Sequence, residues 1–196
     1  MLEFFNQLDH SIFLQLNSIH HPILDKIMLF ISYNYFAMGL LLITLLFFSL
    51  RKTETKTKVV LIVSVIIGFA ISDASTSRLM KPGFERLRPC HNPVLAKQTY
   101  TANKKCGGGK FGFVSSHSSN SFFISMFFFL ILRKKYRFIG GLFFYSSLVA
   151  YSRIYLGRHF PGDIFFGGLF GLLVGWLSYK VICKFDKTFA SYPSSP

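Results

Sequence analysis

The chain has 196 residues, of which 51% are hydrophobic and 15% charged, with 25 phenylalanines. So apolar a composition excludes an ordinary soluble domain of this size and points to an integral membrane protein. The formal net charge is +14. The basic residues stand in short groups between apolar runs rather than on one soluble face. That disfavours nucleic acid as a partner and fits cytoplasmic loops, anionic headgroups or an anionic substrate.

In residues 1–21, Phe5, Leu8, Ile12, Leu16 and Ile19 recur at helical spacing among polar neighbours such as Asn6, Asp9 and Gln15. This predicts an amphipathic helix, lying at the membrane interface or docked on the protein's own helices. Glu3 and Asp9 do not suit the basic start of a secretory signal. A membrane crossing needs about 20 mainly apolar residues. The sequence predicts five crossings, over residues 23–50, 59–80, 115–132, 138–156 and 161–183. Basic loops lie at 51–58 and 133–137, a long loop rich in Lys, Gly and Pro covers 81–113, and residues 191–196 read as a disordered tail. With no repeat and no linker, residues 1–190 read as one domain. The expected fold is all-α, a polytopic membrane bundle of about five transmembrane helices plus an N-terminal amphipathic interfacial helix.

Parity then gathers three segments on one face. The second and fourth crossings leave on the side from which the third and fifth enter, so residues 81–89, 115–117 and 152–163 meet there. Basic residues divide equally between the two faces. The short loops 51–58 and 133–137 weigh most in orientation, which puts them in the cytoplasm and the gathered segments outside.

The first segment is Lys81-Pro-Gly-Phe-Glu-Arg-Leu-Arg88-Pro89. Pro82 and Gly83 are expected to stop the helix just after Lys81, and Arg88 is biased to extended backbone by the proline after it. Two fixed cations suit a phosphate, the arginine as a bidentate fork and the lysine as a point charge. Taken alone, this segment favours headgroup anchoring by exposed basic residues.

The second is Val114-Ser115-Ser116-His117. Ser115 is a natural N-cap, and the free N–H groups of a first helical turn favour an anion. His117 in that turn suits general acid chemistry, although for this segment taken alone a polar helix start with one interfacial histidine is the favoured reading.

The third is Ser152-Arg153-Ile-Tyr-Leu-Gly-Arg158-His159-Phe-Pro161-Gly-Asp163. Charge at a membrane boundary is a functional candidate by default. Asp163, four residues after His159, can fix the imidazole tautomer and raise the basicity of the other ring nitrogen, can cap the helix that starts at Pro161, or can do both. The histidines show no metal-ligand spacing and the cluster is cationic, so neither a metal nor another cofactor is expected.

Taken in order, Lys-x6-Arg-Pro, Ser-x-His and Ser-Arg-x5-His-x3-Asp resemble the signature of the type 2 phosphatidic acid phosphatase family. Its members are integral membrane, metal-independent lipid phosphatases. The resemblance implies that Lys81, Arg88 and Arg153 bind the phosphate, with Ser115 and the Ser116 backbone. It implies that His159 attacks phosphorus to give a phosphohistidine, that Asp163 orients His159, and that His117 protonates the leaving group and then activates water. The family's usual second block is Pro-Ser-Gly-His; here valine and serine replace the proline and glycine. Six-helix members have one more crossing than the sequence predicts, and residues 1–21 stand in its place.

The remaining features are read from the predicted topology and from spacing. Cys90 and Cys106 fall in the predicted outer loop, 90–113, where an oxidising compartment permits a disulfide. Cys183 is expected to be free on the other face. Gly167, Gly171 and Gly175 suit close helix contact, within the chain or in a dimer. Asp73 is expected to pair with Arg78 or a site cation, and Arg158, outside the pattern, to meet headgroups. The expected partners are a phosphorylated membrane lipid and the bilayer of a bacterial cytoplasmic membrane, with the site on its periplasmic face. Undecaprenyl diphosphate is slightly favoured as substrate by family analogy. Phosphatidylglycerol phosphate, phosphatidic acid and lipid A phosphates are alternatives. A non-catalytic lipid binder or transporter is the competing class, and the two histidines argue against it.

Overall fold

The computed structural model describes residues 2–51, 53–103, 106–186 and 189. The predicted tail, 191–196, lies outside the described residues. Among the described residues all regular structure is helical, apart from one isolated antiparallel bridge between Leu87 and Phe111.

The amphipathic pattern forms α1, Leu2–Asn17. Its inner face is docked on the protein. Phe13 is buried against Phe160, and the Asn17 amide donates to the carbonyls of Ile154 and Tyr155, each at 3.0 Å. Phe4, Phe5 and Leu8 stay exposed on the other face.

The expected crossing over 23–50 is two helices, α2 (Pro22–Tyr33) and α3 (Tyr35–Leu50), bent by 52°. Asn34 leaves helical geometry, with ψ at 82°. Pro22 occupies the first helical position, where its missing N–H costs nothing.

The next helical run, Thr55–Phe84, is longer than predicted. It comprises α4 (Thr55–Ala74), a π-helical turn (Ser75–Met80) and α5 (Lys81–Phe84). Contrary to expectation, Pro82 and Gly83 do not stop the helix after Lys81. The π turn widens the ladder just ahead of the proline, so the Lys81 N–H bonds the Thr76 carbonyl and the chain passes Pro82 still helical. The run ends at Glu85, whose φ of 49° is left-handed.

Ser115 caps α6, Ser116–Leu132, as predicted. A 3-10 turn, Arg137–Gly140, leads into α7 (Gly141–Tyr155), and α8 is Pro161–Phe185. Thr55–Phe84 and Pro161–Phe185 are long and apolar enough to cross a membrane, and the bent α2–α3 pair can make a third crossing. α6 is apolar but shorter, at 17 residues.

The core centres on α6 against α8. Phe123, Phe127 and Phe128 of α6 bury against Leu61 and Val65 of α4, Leu142 of α7 and Val174 and Ile182 of α8. Small residues permit the approach. A Cβ added at Gly167 would lie 2.6 Å from the Ser115 carbonyl, and one at Gly175 would lie 2.8 Å from that of Phe123. The glycine repeat thus serves packing within the chain. Buried serines join helices where lipid offers no water: Ser72 meets Ser119, and Ser125 meets Ser146, both at 2.7 Å.

Candidate active site

The end of the bundle formed by α5, the start of α6, the end of α7 and the start of α8 brings the three predicted segments together. The Ser115 N–H donates to the Asp163 carbonyl at 3.0 Å, pinning α6 to the first turn of α8. The Ser115 hydroxyl accepts from the Ser118 N–H, and Ser115 is fully buried. Ser116 uses its side chain as well as its position: its hydroxyl accepts from Lys81 Nζ at 2.7 Å and from Thr76 at 2.9 Å. The π turn delivers Thr76 to that contact.

Arg88 reaches the cluster from the loop after α5. Its Nε donates to the Gly109 carbonyl at 2.7 Å, and its Nη1 lies 3.2 Å from His159 Nε2. Arg153, near the end of α7, is buried, donates to the Ser32 hydroxyl and lies over the Tyr33 ring at 5.3 Å. His117 occupies the first turn of α6, within the electrostatic reach of Arg153, His159, Lys81 and Arg88.

His159 is 1% exposed and stands in the short link between α7 and α8. Burial, and then the charges of Arg88, Arg153 and Lys81, hold its imidazole well below the usual histidine range. It is therefore a neutral base facing cations. Burial first, and then Arg153, lower the Arg88 guanidinium to about 10, so it stays a cation at neutral pH.

Asp163 is fully buried and does cap α8: its Oδ2 accepts from the Phe160 N–H at 3.0 Å. Its distance to His159 Nδ1 is 3.4 Å, without the alignment of a hydrogen bond. Catalytic contacts of this kind commonly tighten when substrate docks. The carboxylate's other oxygen accepts from Arg86 Nη1 at 2.7 Å. Arg86 also holds Asp9 of α1 at 2.6 Å and stacks over Phe160 at 4.4 Å. Asp9 in turn accepts from the Gly162 N–H at 2.7 Å. Sequence reasoning missed Arg86 and Asp9. The one available signal was a third cation, two residues before Arg88 in the same block.

Two further expectations fail. Arg158 meets no headgroup: it is 2% exposed, covered by the loop that carries Gly107. Among the described residues Asp73 makes no ion pair with Arg78 or a site cation: its Oδ1 accepts from the Asn120 amide at 2.9 Å, and its charge acts on Lys81 only through the field. Cys90 and Cys106 form a disulfide, with Cα atoms 5.6 Å apart, and Cys183 is free. The bridge ties Cys90, two residues after Arg88, to Cys106, and the segment just beyond Cys106 pairs with the segment that carries Arg88: the Arg88 N–H donates to the Lys110 carbonyl at 3.1 Å, and the Gly112 N–H to the Arg86 carbonyl at 2.8 Å. His91 lies close to both cysteines, but their sulfurs are committed to the bridge.

A cationic pocket with a neutral imidazole at its wall and a second histidine within its field can bind a phosphate monoester and attack it. The PAP2 superfamily model matches residues 57–187, which span all three blocks. The chain belongs to the PAP2 superfamily. It is 35% identical to a lipid A 4'-phosphatase of Porphyromonas gingivalis over 92% of this chain and 75% of that protein. It is 31% identical to one of Bacteroides thetaiotaomicron, over 94% and 81%. A dolichyldiphosphatase 1 of Dictyostelium discoideum is 29% identical over 87% and 71%. Among solved structures, a PAP2-type phosphatidylglycerolphosphate phosphatase from Bacillus subtilis superposes with a TM-score of 0.67 at 25% identity, over 94% of this chain and 87% of that one. Aquifex aeolicus LpxE gives 0.62 at 27% identity, over 87% and 93%. As a PAP2 protein, this chain is an integral membrane phosphatase of lipid phosphate esters.

Proposed function

We propose that the enzyme removes a phosphate from a phosphorylated glycolipid of the lipid A type through a phosphohistidine on His159. The observation that carries the mechanism is the convergence of Lys81, Arg88 and Arg153 around a buried His159. In this reading the three cations hold the phosphoryl oxygens, with Ser115 and Ser116 lending the first turn of α6. Cations fixed in place stabilise a transition state whose charge spreads over those oxygens.

His159 Nε2 attacks phosphorus, and the P–O bond to the lipid breaks. His117 gives its proton to the leaving oxygen. It then takes one from water, which attacks the phosphohistidine and releases inorganic phosphate. Asp163 holds His159 in position, itself held by Arg86. No step calls for a metal.

The two relatives above 30% identity support a lipid A phosphate as substrate. They displace the preference for undecaprenyl diphosphate, which rested on family analogy alone. A polyprenyl diphosphate remains the second reading because of the dolichyldiphosphatase relative. In the membrane, the arrangement that fits the site is five crossings within a single domain. α1 then lies at the interface, loops 51–58 and 133–137 in the cytoplasm, and the site faces the periplasm. Phosphate release from lipid A, phosphatidic acid, phosphatidylglycerol phosphate and a polyprenyl diphosphate tests the reading. Fastest turnover on lipid A supports it, and release confined to the diphosphate overturns the substrate assignment.

A further inference from the structure

We infer that Thr76 is a positioning residue for the reaction: the π turn sets it on the same face as Lys81, and the two clasp the Ser116 oxygen, which holds the phosphate-binding lysine at the first turn of α6. The inference deepens the phosphatase reading and rests on it.

Thr76 and Lys81 are five residues apart. In an α-helix that spacing turns two side chains about 140° away from each other. Here the Lys81 N–H bonds the Thr76 carbonyl, the i→i+5 pattern of a π turn, which brings the two residues onto one face. Both then reach the same atom of α6. Lys81 Nζ donates to Ser116 Oγ at 2.7 Å, and the Thr76 hydroxyl meets that oxygen at 2.9 Å. Thr76 is fully buried. Its hydroxyl also reaches the Ser72 carbonyl at 2.9 Å, so it is anchored to its own helix while it holds Ser116.

The clasp ends a row of polar contacts between the same two helices. Ser72 meets Ser119 and Asn120, each at 2.7 Å, and Asp73 accepts from Asn120 at 2.9 Å. The row fixes the register of the helices where no water competes. Ser116 immediately precedes His117. One oxygen therefore sets the lysine against the turn that carries the proposed general acid. An ammonium has three N–H donors. Among the described residues Lys81 uses one, on Ser116, which leaves the others for phosphoryl oxygens. Without Thr76 the Ser116 hydroxyl can turn to another rotamer, and the flexible stem of Lys81 loses its fixed end. A glycine at this position, as in the block that the segment resembles, offers no such oxygen. The clasp belongs to the serine that this chain carries.

The test uses the full chain in detergent micelles. kcat/KM for phosphate release from phosphatidic acid is measured for the wild type, Thr76→Val, Thr76→Ser, Ser116→Ala and the double variant Thr76→Val with Ser116→Ala. Thr76→Val keeps the shape and removes the hydroxyl, and it should lower kcat/KM roughly 10-fold, the scale of one hydrogen bond next to a charge. Thr76→Ser keeps the hydroxyl and should recover most of the loss. Ser116→Ala should lose a similar factor, and adding Thr76→Val to it should cost no more, because both act through one oxygen. An unchanged kcat/KM in Thr76→Val would overturn the inference. So would losses that multiply in the double variant. Activity kept by Thr76→Val and lost by Thr76→Ser would show that Thr76 only fills space, and would also overturn it. If Thr76→Val does not fold, Ser116→Ala decides, and full activity there sinks the clasp. If the wild type releases no phosphate from any lipid, the phosphatase reading fails. The clasp is then judged by inorganic phosphate binding in calorimetry: weaker binding in Thr76→Val keeps it, and equal binding rejects it.

Discussion

Arg86 Nη1 donates to Asp163 Oδ1 at 2.7 Å, across 77 positions of sequence. Through its other nitrogen Arg86 holds Asp9, so α1 is fastened to the first turn of α8 rather than merely resting at the surface. Asp163 is fully buried, and this contact is what balances its charge. Removing Arg86 should therefore cost turnover more than binding. Arg86→Gln is expected to lower kcat roughly 10- to 100-fold, in line with loss of a buried charge-assisted bond, with KM little changed. Arg86→Lys should recover part of the loss, and Asp9→Asn should show a weaker version of it. Steady-state kinetics on one lipid phosphate decide the matter; a rise in KM alone would place Arg86 in substrate binding instead.

The depressed basicity of His159 gives a signed pH dependence. The proposed mechanism needs a neutral imidazole as nucleophile, and burial with Arg88, Arg153 and Lys81 keeps His159 neutral below its ordinary 6.5. The acid limb of kcat/KM assigned to His159 should therefore fall below 6.5, as a profile on a diphosphate substrate can show. Stability follows the same linkage. The unfolded chain takes up a proton near 6.5 and the folded one at a lower pH. The stabilisation is thus complete above 6.5 and is lost as pH falls from there toward the folded value. The unfolding temperature of the wild type should drop below pH 6.5 more steeply than that of His159→Gln.

The disulfide acts on Arg88 through the segment that follows Cys106. Cys90 and Cys106 are 16 positions apart, and a loop of that length is worth about 3 kcal/mol in the chain-entropy model. Cys90→Ser with Cys106→Ser should lower stability by up to about that amount. It should also raise KM, because the carbonyls of Gly109 and Lys110 that hold Arg88 belong to the segment that the bridge anchors at Cys106. Thermal unfolding and kinetics of the double variant check both effects. Two freely reactive thiols in the unreduced wild-type protein would contradict the bridge.

Gly167 lets α8 approach the N-cap of α6. Gly167→Ala places a methyl 2.6 Å from the Ser115 carbonyl, a backbone atom that cannot step aside. Overpacking of this kind costs about 1–3 kcal/mol. The same displacement disturbs Ser115 and Ser116, so activity should fall with the unfolding temperature. Gly109→Ala, with open space at its Cβ, is the control.

Much of the site was legible because its chemistry is written at fixed short spacings. Lys81 to Arg88, Ser115 to His117 and Arg153 to Asp163 are each local, and crossing parity was enough to predict their meeting. What escaped depended on contacts that spacing does not encode. Asp9 and Arg86 lie 77 positions apart and looked like parts of two unrelated amphipathic and basic patterns. Pro82 reads as a helix stop, and only the π turn before it explains why the helix continues. Arg158 reads as a surface cation until the loop bearing Gly107 is folded over it. The break at Asn34 had a local signal, a polar Ser32–Tyr33–Asn34 step inside an apolar run, which the length of that run obscured.

The central claim is that His159 carries the phosphoryl group. The direct measurement is rapid quenching of His117→Ala with a lipid substrate labelled in its phosphate, followed by peptide mapping. Without His117 to activate water, the phosphoenzyme should accumulate with the label on His159, and His159→Ala should show neither label nor turnover. Label on another residue, or full phosphate release by His159→Ala, would contradict the account.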